Sequence, residues 1–201
     1  MARGSHHVLG RHLRISVNTP HRSGQGDGGI LKICLLGAEC TGKTTLATAL
    51  AQALDAVLVP EYLRTFVQQH GRVPTADEQA VILRRQMDLE ADAVQRVTQA
   101  GKTGIVCDTA PLMTAVYSAH YFGDTSLLPE TLAHHTHYTH TLLLEPDFPW
   151  QADPGQRDGG ATREAVHRRL RTLLADAAIA HTRITGTQAQ RLHHALICAR
   201  T

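Results

Sequence analysis

Residues 31–46 have the sequence LKICLLGAECTGKTTL, in which an apolar run leads into a glycine-rich loop. The apolar run predicts a buried β-strand that ends before Gly37. The segment from Gly37 to Thr44 matches the P-loop pattern G-x-x-x-x-G-K-[ST] at every fixed position. Such a loop points its backbone N–H groups at phosphate oxygens, and the helix after it adds a positive N-terminal end. This part of the sequence therefore predicts a binding site for a nucleoside polyphosphate.

The predicted nucleotide site consists of this loop and a few residues near it. The Lys43 ammonium is expected to reach the β- and γ-phosphates of ATP, and the Thr44 hydroxyl is expected to bind Mg²⁺. Because Cys40 lies inside the loop, we expect its alkylation to block nucleotide binding. The residues assigned to ATP are Gly37, Ala38, Glu39, Cys40, Thr41, Gly42, Lys43, Thr44, Thr45 and Gly186.

Length and composition are those of an ordinary globular protein. The chain has 201 residues, of which 42% are hydrophobic and 19% charged, and its formal net charge is +2. These values suit one α/β domain, predicted over residues 30–201, and give no reason to expect nucleic acid as a partner. No apolar run approaches the roughly 20 residues that span a membrane. Without a signal-peptide pattern we expect a cytoplasmic protein, with a flexible tail over residues 1–29.

Strands and helices alternate along the rest of the chain. We predict strands at about 31–36, 56–59, 104–107, 141–144 and 180–185. We predict helices at about 43–54, 75–99 and 162–177, from 188 onward, and in the region after Pro111. This alternation predicts a P-loop NTPase-type fold, with a parallel five-stranded sheet covered by helices on both faces. Residues that follow the strands should share one edge of the sheet, where ligands of such folds bind.

Two carboxylates follow predicted strands and are candidates for chemistry at this edge. Glu61 follows the second strand and could accept the proton of a substrate hydroxyl. Asp108 follows the third strand and could either bind Mg²⁺ together with Thr44 or act as that base. Arg64 could pair with Glu61 or hold phosphate, and a surface ion pair is an equal alternative.

The loop over residues 145–161 is rich in proline and glycine and is predicted to be a lid. Arg157 in this loop and Arg163 at the start of the next helix are expected to neutralise charge on the transferring phosphoryl group. The alternative is an ordinary surface loop with solvated charges.

The cysteines and histidines predict no metal site. The spacing of the four cysteines fits no zinc pattern, and Cys34 and Cys107 are expected to be buried in strands. One histidine-rich segment has no carboxylate partners in the sequence and no helical register that would gather its ring nitrogens. Its histidines are His134, His135, His137 and His140.

Five segments occur in the order expected of one known family. They are GAECTGKTTLATALA, PEYLRTFV, DEQAVILRRQMDLEADAV, GIVCDTAPLMTAVY and PWQADPGQRDGGATRE, within about residues 31–198. Together they resemble the ribosylnicotinamide kinase domain of the bacterial NadR family, a P-loop kinase of the AAA_28 type. Two departures are Cys40, in place of a small hydroxyl residue, and Pro154-Gly155, which shifts the glycine of the lid.

The resemblance implies transfer of the ATP γ-phosphate to the 5′-hydroxyl of nicotinamide riboside, with Mg²⁺ bridging the phosphates. It implies that Gln86 hydrogen-bonds the ribose or the carboxamide of this substrate. The implied substrate-binding residues are Glu61, Tyr62, Arg64, Gln86 and Asp108. The implied catalytic residues are Lys43, Glu61, Asp108, Arg157 and Arg163.

Two other functions remain open on the sequence. One is a kinase of the same architecture that acts on another nucleoside or small alcohol. The other is a regulatory module that binds ATP without catalysing transfer. NadR proteins can also carry an adenylyltransferase and a DNA-binding domain, and from the length of this chain we expect the kinase domain alone.

Overall fold

A sheet of five parallel strands forms the centre of the molecule, which confirms the predicted sheet. The computed structural model describes residues 29–149 and 159–201. The strands are β1 (Leu31–Leu36), β2 (Val57–Val59), β3 (Gly104–Cys107), β4 (His140–Leu144) and β5 (Thr182–Ile184). Their order across the sheet is β2-β3-β1-β4-β5, and every neighbouring pair is parallel.

Helices connect the strands and cover the sheet. In chain order they are α1 (Lys43–Ala53), α2 (Tyr62–His70), α3 (Gln79–Ala100), α4 (Pro111–Tyr121), α5 (Leu128–His135), α6 (Gly160–Asp176) and α7 (Gln188–Cys198). A 3₁₀ turn, Ala76–Glu78, leads into α3. Thr75 and Glu78 form a capping box at this turn.

The alternation of side chains along β1 shows that helices cover both faces. Ile33 and Leu35 belong to an apolar cluster with residues of α1 and α7. Cys34 and Leu36 point the other way, into a cluster with residues of α3, α4 and α6. All four side chains are at most 1% exposed. A strand buried on both faces is typical of a parallel sheet, and the predicted two-sided arrangement is confirmed.

The strand order places the P-loop at the point where the chain changes direction across the sheet. From the central strand β1, the strands β3 and β2 lie to one side, and β4 and β5 lie to the other. In open α/β sheets, ligands bind outside the carboxyl ends of the strands at such a switch point. The loop that follows β1 therefore occupies the position that the fold favours for a ligand.

Helix α2 was not predicted from the sequence, and α5 was not distinguished within the helical region predicted after Pro111. Leu63, Phe66 and Val67 have the spacing of one helical face, but the segment is short and follows directly after Pro60. Helix α5 has only eight residues and lies in the histidine-rich segment, where no apolar period is visible. The other predicted elements are present, with ends that differ by up to two or three residues, as is usual for boundaries.

Several predictions fall on residues outside the described ranges. The tail predicted over 1–29 is outside them except for Gly29, and residues 150–158 of the predicted lid are also outside. The domain division therefore stays a prediction. Among the helices of residues 29–149 and 159–201, none is long and apolar enough to cross a membrane.

Candidate active site

The P-loop connects β1 to α1 through a backbone path that requires glycine at two positions. Gly42 has φ of 80°, in the left-handed region. A Cβ at Gly37 would lie 2.9 Å from the carbonyl oxygen of Leu144, and a Cβ at Gly42 would lie 3.2 Å from the ring of Phe148. These positions have room for backbone only.

Lys43 lies against the P-loop at the first residue of α1. Its ammonium donates to the carbonyl oxygens of Gly37 and Ala38, each over 2.9 Å. The positive charge of the side chain and the positive end of the helix are therefore at the same place, beside the loop predicted to hold phosphate.

Both predicted carboxylates act electrostatically on this part of the site. Asp108 is 4% exposed, and burial raises the pKa of its carboxyl, although a hydrogen bond with Thr44 and the charge of Lys43 oppose the shift. Burial also raises the pKa of Glu61, where the Lys43 ammonium opposes the shift and the charge of Asp108 reinforces it. Such shifts bring the pKa of a carboxylate closer to the pH at which it would accept a proton.

Arg64 completes this group of charges from the first turn of α2. Its positive charge acts to lower the pKa values of Glu61 and Asp108, although less strongly than the Lys43 ammonium does. Burial raises both pKa values despite these charges. The structure thus brings together five residues that were singled out in separate segments of the sequence. These are Lys43, Thr44, Glu61, Arg64 and Asp108.

The surroundings of Asp108 fit a magnesium ion. Its buried Oδ1 atom has no hydrogen-bond partner among the described residues, and the same is true of the hydroxyl of Thr109. The Thr44 hydroxyl hydrogen-bonds to this carboxylate and would supply a second oxygen for the ion. Mg²⁺ prefers oxygen ligands and is usually held by one or two protein groups together with substrate phosphates. The described residues contain no group of three His, Cys, Asp or Glu side chains arranged for a metal.

Gln86 has a different environment from the one predicted for it. Its side chain on α3 is 2% exposed. The Oε1 atom accepts from the N–H of Tyr62 over 2.8 Å, and the Nε2 atom donates to the carbonyl of Pro60 over 3.3 Å. These contacts give Gln86 a role in the backbone around Glu61, and the substrate contact that the resemblance implies stays a prediction.

Arg191 on α7 is a residue of this site that the sequence analysis missed. It is 1% exposed and donates to three carbonyl oxygens, those of Thr41, Gly186 and Glu145, over 2.8 to 3.1 Å. It also forms an ion pair with Asp147. One side chain therefore joins the P-loop to the segments that follow β4 and β5.

A helical pattern could have suggested that Arg191 is buried. Arg191, Ala195 and Cys198 recur at the spacing of one helical face, so the arginine lies on an apolar stripe. A buried arginine requires several acceptors. The sequence does not show which carbonyl groups supply them.

Phe148 connects Arg191 to the start of α6. The Arg191 guanidinium lies over the Phe148 ring, 4.3 Å from its centre. The Phe148 carbonyl accepts a hydrogen bond of 2.9 Å from Arg163, which also pairs with Glu164. Through the bond to Phe148, Arg163 joins the two ends of the predicted lid. The contact of Arg163 with phosphate stays a prediction. Arg157 lies outside the described residues.

A cavity lies between α1 and α7, next to the P-loop. Its volume is about 160 Å³. Residues from both helices and from the P-loop line it, among them Gly42, Thr45, Leu46, Ala49, Gln188 and Leu192. Thr45 and Gly42 are among the residues predicted to bind ATP, and Gly186, also predicted to bind it, accepts a hydrogen bond from Arg191, which lines the same cavity.

Comparison with a family model decides the family of the chain. The model of AAA_28, described as an AAA domain, matches residues 32–191. The chain belongs to the AAA_28 family. The match includes the P-loop, both carboxylates and Arg191, so it covers the whole site described above. No curated protein sequence matches the chain.

Solved structures similar to this AAA_28 protein include two of the NadR protein. The structure in complex with NR has a TM-score of 0.69 at 21% identity, and the structure in complex with NAD and AMP-PNP has a TM-score of 0.66 at 22% identity. Each match covers 86% of this chain, and 51% and 49% of the respective NadR chains. The chain thus spans about half the length of the NadR structures that it matches.

Another similar structure is a thymidylate kinase from Ehrlichia chaffeensis. It has a TM-score of 0.63 at 14% identity, and the match covers 86% of this AAA_28 chain and 100% of the kinase. At these identities the matches establish the fold, which is that of P-loop kinases. The predicted resemblance to the NadR kinase domain is confirmed at this level.

Proposed function

We propose that this AAA_28 protein is a kinase that transfers the γ-phosphoryl group of ATP to the 5′-hydroxyl of nicotinamide riboside. The observation that carries the proposal is the convergence of Lys43, Glu61 and Asp108 beside one P-loop. A site that only bound an anion would be weakened by two carboxylates, because their charges repel phosphate. Carboxylates at this place suit a reaction that needs a proton acceptor and a divalent cation.

In the proposed reaction, the 5′-hydroxyl oxygen forms a bond to the γ-phosphorus while the bond from this phosphorus to the β–γ bridging oxygen breaks, and ADP leaves. Glu61 or Asp108 accepts the hydroxyl proton, for which a raised pKa suits either group. Lys43 stabilises negative charge on the β- and γ-phosphates. Thr44 and Asp108 would hold Mg²⁺, which when bound neutralises part of the phosphate charge.

We propose that the base and ribose of ATP lie beside the P-loop, on the donor side of the site. The cavity between α1 and α7 opens beside Gly42 and is lined largely by apolar side chains. Small-molecule sites are lined mostly by apolar side chains with a few polar groups. We assign this cavity to the nucleoside part of ATP, and the lid arginines Arg157 and Arg163 to the transferring phosphoryl group.

The choice of nicotinamide riboside rests on the resemblance to NadR. The segments PEYLRTFV and GIVCDTAPLMTAVY carry Glu61 and Asp108, and they match the NadR pattern beyond the P-loop that many enzymes share. NadR has been solved in complex with NR and with AMP-PNP, an ATP analogue. The product of the proposed reaction is nicotinamide mononucleotide, a precursor of NAD, and we expect the protein to act in the cytoplasm.

A kinase for another nucleoside or nucleotide is the second candidate. It is favoured by the match to thymidylate kinase, which covers the whole of that chain, whereas the match to NadR covers about half. The two candidates share the phosphate loop and differ in the acceptor.

A panel of acceptors separates these two candidates. The purified protein is incubated with ATP and MgCl₂ and with nicotinamide riboside, thymidine, adenosine or thymidine monophosphate, and ADP formation is measured. We expect ADP formation to depend on nicotinamide riboside and to be at least about tenfold faster with it than with the other acceptors. A preference for thymidine monophosphate would favour the second candidate. ATP binding without turnover on any acceptor would favour the regulatory module.

A further inference from the structure

The first turn of α2 donates a hydrogen bond to a side chain on a different helix. Helix α2 begins at Tyr62, and the N–H of Tyr62 donates to the Oε1 atom of Gln86 on α3 over 2.8 Å. The Nε2 atom of the same amide donates to the carbonyl of Pro60. One buried side chain therefore binds the backbone on both sides of Glu61.

Glu61 is the N-cap residue of α2, but its side chain makes no capping hydrogen bond. An N-cap side chain ordinarily accepts from the free N–H groups of the first turn, and these groups attract carboxylates. Gln86 supplies an acceptor from outside the helix for the first of these groups, the N–H of Tyr62, so this N–H does not draw on the Glu61 carboxylate. It lies close enough to Lys43 and Asp108 for their charges to act on it.

We propose that Gln86 is a positioning residue, which caps α2 in place of Glu61 and so keeps the Glu61 carboxylate directed at the P-loop. This inference rests on the proposed function, in which Glu61 is a candidate proton acceptor. Without the amide, the N–H groups of the first turn of α2 compete for the Glu61 carboxylate. The peptide groups before and after Glu61 also lose their anchors, and a displacement of about 1 Å at a reacting group can reduce the rate about 100-fold.

A kinetic comparison with a matched control tests this role. Gln86→Met keeps the length of the side chain and removes the amide. The control is Gln79→Met, because Gln79 is also on α3, is 5% exposed, and donates to the carbonyl of Thr75 away from the P-loop. With nicotinamide riboside as acceptor, we expect Gln86→Met to lower kcat about 10- to 100-fold with little change in the KM for ATP. We expect Gln79→Met to retain the wild-type kcat.

A double substitution distinguishes positioning from a general structural role. If Gln86 acts through Glu61, Gln86→Met has little further effect on kcat once Glu61→Gln is present, since the group that it positions is already gone. An equal loss in both backgrounds would show that Gln86 acts independently of Glu61 and would overturn the proposal.

A titration decides the same question without any acceptor. The pKa of the Glu61 carboxyl is measured by carbon-13 NMR in the wild type and in Gln86→Met, with Glu61→Gln used to assign the signal. We expect the substitution to lower this pKa, because a carboxylate that turns to the free N–H groups of α2 is stabilised in its charged form. An unchanged pKa would overturn the positioning role. Absence of turnover on nicotinamide riboside in the wild type would instead contradict the proposed function, and the titration would still decide the role of Gln86.

Discussion

The guanidinium of Arg191 donates to the carbonyl of Thr41 over 2.8 Å, although 150 positions separate the two residues in the chain. Thr41 lies inside the P-loop and Arg191 lies on α7, so this bond ties the loop after β1 to the end of the fold. The other donors of the same guanidinium bind the segments after β4 and β5. The shape of the P-loop therefore depends on a side chain outside the motif.

Arg191→Met tests this dependence. The substitution leaves the carbonyls of Thr41, Gly186 and Glu145 without their buried donor, and it leaves Asp147 without its cation. We expect the free energy of unfolding to fall by about 3 kcal/mol, because buried carbonyl oxygens are left without a hydrogen-bond donor. ATP should also bind at least about tenfold more weakly.

Urea denaturation and calorimetric titration with ATP measure the two effects. The control is Arg200→Met, the same substitution at an exposed position just after α7. Wild-type ATP affinity in Arg191→Met would show that the P-loop keeps its shape without the clamp.

The two carboxylates should respond differently to magnesium. Because Asp108 is placed next to Thr44, we expect Asp108→Asn to raise the Mg²⁺ concentration that gives half-maximal rate. Glu61→Gln should lower kcat by about 100-fold or more, the usual loss when a general base is removed, with little change in that Mg²⁺ concentration. Initial rates over a range of MgCl₂ concentrations measure both. A rise in the Mg²⁺ requirement for Glu61→Gln alone would reverse the two assignments.

The raised pKa of Glu61 predicts how stability depends on pH. Burial disfavours the charged form, so the folded protein holds this proton more tightly than the unfolded chain, whose carboxyl has the ordinary value of 4.5. This group therefore lowers the free energy of unfolding as pH rises from about that ordinary value through the pKa of the folded state. Glu61→Gln should be more stable than the wild type above this range, without ATP or Mg²⁺ present.

Glu78 provides a control of opposite sign. Hydrogen bonds from Arg72 and from the backbone of Thr75 lower its pKa to about 2. Its stabilising contribution is present above pH 4.5 and is lost as pH falls toward 2. Urea denaturation at pH 4 to 8 tests both shifts. At neutral pH, the urea midpoint should be higher in Glu61→Gln and lower in Glu78→Gln than in the wild type. A lower midpoint for Glu61→Gln at pH 7 would contradict the assigned shift.

Cys40 should make nucleotide binding sensitive to alkylation. It is partly exposed and has φ of 53° within the P-loop. A carbamidomethyl group there would occupy space that the phosphates need, so treatment with iodoacetamide should weaken ATP binding at least about tenfold. Because Cys198 is also partly exposed, Cys40→Ser is the control and should bind ATP normally before and after treatment. Equal loss in Cys40→Ser would assign the effect to another cysteine.

The sequence was sufficient to predict the sheet and the edge on which the site lies. Apolar runs before Gly37 and Asp108 are strong strand signals, because β1 and β3 are buried on both faces and contain almost only apolar residues. Parallel strands align their carboxyl ends, so the positions of Glu61 and Asp108 after their strands were enough to bring them to the P-loop.

The contacts of Gln86 and Arg191 could not be predicted in the same way. Each depends on how a helix is rotated against a distant part of the backbone, and the helical period does not show which group a side chain will meet. The substrate contact of Gln86 was expected from the resemblance to NadR, and the sequence pattern did not show that the N–H of Tyr62 would meet this side chain. The contacts of Arg191 could not be predicted because its acceptors come from three separate loops.

Direct detection of the phosphorylated product tests the central claim most directly. The protein is incubated with γ-³²P-labelled ATP, MgCl₂ and nicotinamide riboside, and label in nicotinamide mononucleotide is measured for the wild type, Lys43→Ala and Lys102→Ala. Lys102 is the matched control, because it pairs with Asp55 at the surface. We predict labelled product from the wild type and Lys102→Ala, and a rate at least about 1,000-fold lower from Lys43→Ala, which lacks the charge that stabilises the transferring group. No labelled mononucleotide from the wild type, or an equal rate from Lys43→Ala, would contradict the account.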